Sequence, residues 1–175
     1  MRICPCGTPV PVRPGPGRPA EYCSARCRVR AHRARRAVPA ELIASRRWVR
    51  ADGKRPITIT GAPASSTDPS TWSTYPEVLA SSAGDGYGVM LGDGLACWDL
   101  DHCLDRGELA PWAREVLASI DSPLWVERSM SGEGLHVFVA GTEERGRRTH
   151  GVEYYARARF IRFTGDRFGP LDVMR

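Results

Sequence analysis

No stretch of this sequence stays apolar for the roughly 20 residues that a membrane-crossing helix needs. Nor does it open like a signal peptide, because Met1-Arg2 runs into cysteines and prolines rather than an apolar segment. A soluble, cytoplasmic protein without membrane contact is therefore the expectation. Lysine is nearly missing: of 25 basic residues only Lys54 is lysine, an arginine-for-lysine bias that often accompanies GC-rich genomes. The Gly-x4-Gly-Lys-Ser/Thr loop of helicase-type ATPases does not occur. Any unwinding is expected to come from a separate helicase chain. There is no internal repeat.

What is present suits one globular core with a small accessory unit, since 175 residues with 42% apolar content can bury a core of ordinary size. The formal net charge of +5 favours a polyanionic partner. It is unevenly spread, because Arg26, Arg28, Arg30, Arg33, Arg35, Arg36 and His32 form one short run. A helix through that run is basic all round, which argues against burial and suits contacts to nucleic-acid phosphates. Just before it crowd Cys4, Cys6, Cys23 and Cys27. Without a secretion signal, such a group indicates metal rather than disulfides, and four thiolates match a tetrahedral structural Zn2+. His32 is a reserve ligand. Cys97 and Cys103 read as small core residues. Residues 1–37 are thus expected to form a zinc-binding, arginine-rich nucleic-acid-binding module, with the main domain at 38–175.

In that domain the pattern predicts a helix from Pro39 to about Trp48, a strand over Ile57–Thr60 and a short helix over Tyr75–Ser82. Strand-like runs follow at Tyr87–Leu91 and Leu95–Leu100, parted by the hairpin signal Gly92-Asp93-Gly94. Glu108–Ile120 has helical periodicity. Leu124–Glu127, Leu135–Ala140, Val152–Tyr155 and Phe160–Thr164 are further strands. The mixture predicts an α+β fold with a largely antiparallel sheet covered on one face.

Three runs carry chemistry. In Trp98-Asp99-Leu100-Asp101-His102, strand alternation puts Asp99 and Asp101 on one face, roughly 7 Å apart. Two like charges so close invite a divalent cation, with oxygen ligands suiting Mg2+ or Mn2+; the plainer reading is that they cap a strand. In Ser129-Met130-Ser131-Gly132-Glu133-Gly134-Leu135-His136, Gly132 and Gly134 permit a tight turn whose amides, with Ser129 and Ser131, can cradle phosphate. Taken alone, this is an ordinary glycine hairpin. Glu153 sits in the short strand Val152–Tyr155, followed by Arg157 and Arg159, which can fork onto an anion. Trp72, Tyr154 and Tyr155 are candidates for base stacking, with core packing the plainer role.

The order Asp-Leu-Asp-His, then Ser-x-Ser-Gly-x-Gly-Leu-His, then Val-Glu-x-Tyr followed by Arg-Phe and Thr-Gly resembles the archaeo-eukaryotic primase superfamily, in particular the phage and plasmid primase-polymerases. Gly53-Lys54-Arg55-Pro56, Thr71-Trp72 and Gly86-Tyr87-Gly88 fall in the family's usual order, so the resemblance runs from about Trp48 to Gly165. It implies an RNA-recognition-motif-like core with an adjoining small α/β unit, preceded here by the zinc-ribbon-like module and basic helix. It also implies a DNA primase/polymerase that makes or extends primers in DNA replication, and an origin in a phage or mobile element. By the same resemblance Asp99, Asp101 and Glu153 hold catalytic Mg2+ or Mn2+. Ser129 or Ser131 and His136 contact the triphosphate. Many relatives carry aspartate where Glu153 stands. The implied partners are a single-stranded DNA template and nucleoside triphosphates.

Two other classes stay open. The domain can be a catalytically degenerate relative that binds nucleotide and nucleic acid as a replication accessory protein. It can also be a metal-dependent nuclease or relaxase. Against the latter, the four histidines (His32, His102, His136 and His150) include no His-x-His pair.

Overall fold

Trp48, expected to end a helix, begins a strand. The helix stops at Ile43, and the Trp48 indole N–H donates to the Leu42 carbonyl at 3.0 Å, closing the helix end against the buried ring. Local helix propensity around Ala40–Ala44 yields to the pull of an aromatic core that gathers Trp48, Tyr75, Tyr87 and Phe163. The computed structural model describes residues 2–4, 6–11, 19–29, 37–141, 146–149 and 151–169. Arg30, Arg33, Arg35, Arg36, His32 and His150 lie outside the described residues.

The chain divides into two units, Met1–Ala37 and Val38–Arg175. In the first, a hairpin-like turn brings Ile3 opposite Pro9, and α1 (residues 25–29) starts just after Cys23 and carries Cys27. Ser24 begins this helix, its hydroxyl accepting from the Cys27 N–H at 3.2 Å.

The second unit is α+β with antiparallel sheets. After α2 (Ala40–Ile43) come β1 (Trp48–Asp52), β2 (Arg55–Ile57), a 3-10 turn at Pro69–Thr71, α3 (Tyr75–Ala80), β3 (Gly86–Met90), β4 (Leu95–Leu100), β5 (Leu104–Asp105), β6 (Glu108–Leu109), α4 (Pro111–Ser119), β7 (Trp125–Arg128), β8 (Leu135–Ala140), β9 (Arg147–Thr149), β10 (Val152–Tyr155) and β11 (Phe160–Phe163). One sheet has the order β11-β3-β1-β2, the other β7-β8-β4-β10-β9, and β5 pairs with β6. α3 starts on a capping box, Thr74 with Glu77. The helix expected over Glu108–Ile120 starts only at Pro111, because Leu109 is paired with Leu104 in a small ribbon and proline suits the first helical turn.

Alternation along β4 divides the molecule. Ala96 and Leu100 pack with Leu117, Ala113, Val126 and Val137 in a cluster beneath α4. Leu95 and Cys97 point into a second cluster with Trp48, Val89, Trp125, Phe138 and Phe163, which draws residues from both large sheets. The next residue on that second face is Asp99. An apolar face shared by two sheets therefore turns polar at one end, and a cavity opens there.

Two glycines let β11 lie close to β3. A Cβ on Gly88 would fall inside contact distance of the Phe160 ring and the Ile161 carbonyl, and one on Gly86 would meet the Arg162 guanidinium. Arg162 uses that room to donate to the Gly53 carbonyl and, at 2.8 Å, to Asp85, pinning the β1–β2 turn.

Candidate active site

Register builds the site. Glu127 of β7 pairs with His136 of β8, His136 with Asp99 of β4, Asp99 with Glu153 of β10, and Glu153 with Arg148 of β9. One rung thus crosses all five strands, and paired residues share a face. His136 Nε2 lies 3.9 Å from Asp99 Oδ1, and His136 Nδ1 lies 3.2 Å from Glu127 Oε1.

Asp101 stands in the turn just past β4, held by its N–H donating to the Gly151 carbonyl at 2.8 Å. Asp99, Asp101, Ser129, Ser131, His136 and Arg159 all line one cavity of about 510 Å3. Lys54 and Pro56 from the β1–β2 hairpin, Ala64, Ser66, Met130, Ala158, and Phe160 to Arg162 of β11 complete the wall. Its size is that of a small-molecule site. Arg157 is exposed and does not line it.

Glu153 neighbours the cavity without being part of its wall. Its carboxylate accepts from the Tyr155 hydroxyl and is ion-paired with Arg148. These partners, the tyrosine foremost, hold Glu153 below its ordinary value. Asp99 goes the other way: burial raises its carboxyl, Asp101 and Glu153 add to the rise, and His136 and Arg159 oppose it. The three acids are neighbours, but they do not form a ready-made metal cage. Among the described residues, the cluster whose ligand atoms already converge is the four cysteines.

The Ser129–Gly134 loop spends its amides on itself. The Gly132 N–H donates to the Ser129 carbonyl at 3.0 Å, the Glu133 N–H to the Ser131 hydroxyl at 3.3 Å, and the Gly134 N–H to the Ser129 hydroxyl at 3.2 Å. The cradle of glycine amides expected here is thus closed, and the serine side chains are what the loop brings to the cavity. Gly134 is demanded by crowding, since a Cβ would meet the Leu100 carbonyl and Ser129; Gly132 sits at φ +79°. The aromatic candidates sort differently: Tyr154 and Trp72 are core residues, while Tyr155 carries the Arg159 guanidinium 4.4 Å above its ring.

Sequence reasoning passed over Glu127, Lys54, Phe160 and Arg162. Two of them carry a sequence signal: Glu127 is an acid two positions after Trp125 in an apolar strand, and Lys54 is the chain's sole lysine.

In the first unit the ligand atoms of Cys4, Cys6, Cys23 and Cys27 all lie within 4.8 Å of one another. Cys6 and Cys23 are 3.4 Å apart, and Cys23 and Cys27 3.5 Å. Four sulfurs at about 2.3 Å from one zinc lie close together in this way, so the cluster can bind zinc. A tight turn sets the first pair, with the Gly7 N–H donating to the Cys4 carbonyl at 2.8 Å. Hydrogen bonds from Thr8 lower the Cys6 thiol to about 6, and those to Cys6 and Cys27 push Cys23 up to about 12. Of the expected basic residues, Arg26 and Arg28 lie on or beside this helix.

No family model matches the chain. It is similar to the DNA Primase-polymerase of Nitratiruptor phage NrS-1, with 33% identity over 129 aligned residues. The alignment covers 66% of this chain and 18% of the relative, so the chain spans only a small part of that protein's length. The similarity supports a relationship to a primase-polymerase. No helix among the described residues is long and apolar enough to cross a membrane.

Proposed function

We propose that the second unit is a template-directed nucleotidyltransferase that makes or extends primers, with the first unit as its zinc-bearing nucleic-acid holder. The observation that carries this is the rung Glu153–Asp99–His136 opening onto a cavity walled by serines and basic side chains. A relative named for primase-polymerase activity supports it.

In this reading Asp99 and Asp101 hold Mg2+ or Mn2+, and Glu153 joins them once released from Arg148. The donor set fits, because a half-buried carboxyl raised first by its burial and then by two acidic neighbours gains from a cation beside it. Bound there, the ions supply charge neutralisation for the attacking and leaving oxygens. The Ser129 and Ser131 hydroxyls donate to phosphate oxygens, while Lys54 and Arg159, which also line the cavity, balance the polyphosphate charge. His136 projects its ring from β8 toward the same group. The primer's 3′ oxygen bonds to the α-phosphorus as the bond to the bridging oxygen breaks; pyrophosphate leaves, and the hydroxyl proton passes to solvent. Phe160 and Pro56 add apolar lining to the pocket. Gly132 and Gly134 shape the loop, and Arg157, outside the cavity wall, is assigned to the nucleic acid.

Cys4, Cys6, Cys23 and Cys27 hold a structural Zn2+. Arg26 and Arg28, with Arg30, Arg33, Arg35 and Arg36, contact template phosphates. Single-stranded DNA and nucleoside triphosphates are the proposed partners.

One observation favours a second reading, a degenerate nucleotide-binding protein: Glu153 is engaged by Arg148 and Tyr155 rather than turned to Asp99. A single assay separates the readings. With Mn2+, a primed single-stranded template and labelled nucleotides, extension supports the enzyme, retention without extension the binding protein, and cleavage a nuclease.

A further inference from the structure

Glu127, on the edge strand β7, is fully buried, where a carboxylate is tolerated only when its charge is answered by hydrogen bonds. Four donors answer it. The Trp125 indole N–H at 3.0 Å and the Gly165 N–H at 2.9 Å reach Oε2. The Thr164 N–H at 3.0 Å and His136 Nδ1 at 3.2 Å reach Oε1. The indole and the two amides can only donate, and three donors on one carboxyl favour its acceptor-only form, in which the ring nitrogen at Oε1 carries the hydrogen. The Phe138 ring, 6.3 Å away and nearly perpendicular, packs beside the imidazole.

We propose that Glu127 is a positioning residue that locks His136 in the Nδ1–H tautomer and so presents an unprotonated Nε2 to the cavity. There it faces Asp99 Oδ1 at 3.9 Å. The turn after β11 belongs to the same device. Gly165, at φ +69°, lets successive amides aim at Glu127, so the Thr164-Gly165 pair acts on the cavity through Glu127 and His136. The effect on turnover rests on the nucleotidyltransferase reading; the tautomer does not.

The test is NMR on the full chain labelled with 15N-histidine, at mildly alkaline pH, with His136→Asn identifying the His136 signals. Wild type is expected to show the Nδ1–H tautomer. In Glu127→Gln, an amide NH2 placed at Oε2 would confront both the indole and the Gly165 donors. Placed at Oε1 it confronts only the Thr164 amide and can donate to the ring. The variant is therefore expected to switch His136 to Nε2–H, with kcat for primer extension falling about 10- to 100-fold and little change in KM for template. An Nε2–H tautomer in wild type overturns the proposal, and that measurement decides alone if Glu127→Gln fails to fold. An unswitched tautomer in the folded variant overturns it too, as does a switched tautomer with unaltered kcat. Failure of the wild type to extend primers would remove the enzyme reading while leaving the tautomer result standing.

Discussion

Glu153 and Asp99 face one another as paired residues of β10 and β4, yet the Glu153 carboxylate is held by Arg148 and Tyr155 while Asp99 looks into the cavity. Whether the three acids act together thus depends on an ion pair at the sheet edge.

Arg148→Ala removes that competitor. With the arginine exposed and the glutamate largely covered, the ion pair is worth about 0.5–1 kcal/mol, so affinity for Mn2+ is expected to rise about two- to fivefold. Titration followed by the electron paramagnetic resonance of free Mn2+ reads this directly. Unchanged affinity would mean that Glu153 takes no part in holding the ion.

The acids also predict opposite pH behaviour. Asp99 titrates above its unfolded value in the folded protein, so the fold binds that proton more readily than the unfolded chain does. Its contribution is best at low pH and worsens as pH rises through the raised folded value. Glu153 is depressed, so its stabilisation is present above the ordinary carboxylate range and is lost as pH falls through the folded value. At neutral pH without divalent ions, Asp99→Asn is expected to melt a few degrees higher than wild type. Mg2+ should narrow the gap by stabilising the wild type alone. A lower melting temperature for the variant under every condition would contradict this electrostatic account.

Gly88→Ala tests the close approach of β11. The added methyl must displace the Ile161 backbone, not merely a flexible side chain. A loss of about 1–3 kcal/mol in urea unfolding is expected, as for other overpacked sites. A change near zero would show that β11 gives way easily and that the glycine is not required there.

Metal analysis checks the cysteine cluster. Wild type should carry one zinc per chain, and Cys23→Ser/Cys27→Ser about none. Cobalt substitution should give thiolate charge-transfer bands in wild type only. Full zinc content in the double variant would place the metal elsewhere.

Strands whose hydrophobic pattern is long and bounded by glycine were legible from the residues: Leu95–Leu100, Leu135–Ala140 and Val152–Tyr155 have the limits that the pattern predicts. β1 was not legible, because Trp48-Val49-Arg50-Ala51 has no alternation to set it apart from the helix before it. Its strand state comes from pairing with β2 and β3, a tertiary fact. The two-residue ribbon β5–β6 and edge strand β9 are too short to leave a pattern. At the site, Asp99, Asp101, Ser129, Ser131, His136 and Arg159 were legible from their motifs and share a wall. Glu127 was not, because its importance lies in which amides and which ring fold back onto it. Conversely, the glycine loop invited an amide cradle that its own serine hydroxyls and carbonyl fill.

Anomalous scattering from crystals soaked with Mn2+ and a non-hydrolysable nucleoside triphosphate tests the central claim most directly. The account predicts manganese between Asp99 and Asp101, with the phosphates running toward Ser129, His136 and Arg159. Manganese bound elsewhere, or a triphosphate outside this cavity, would contradict it.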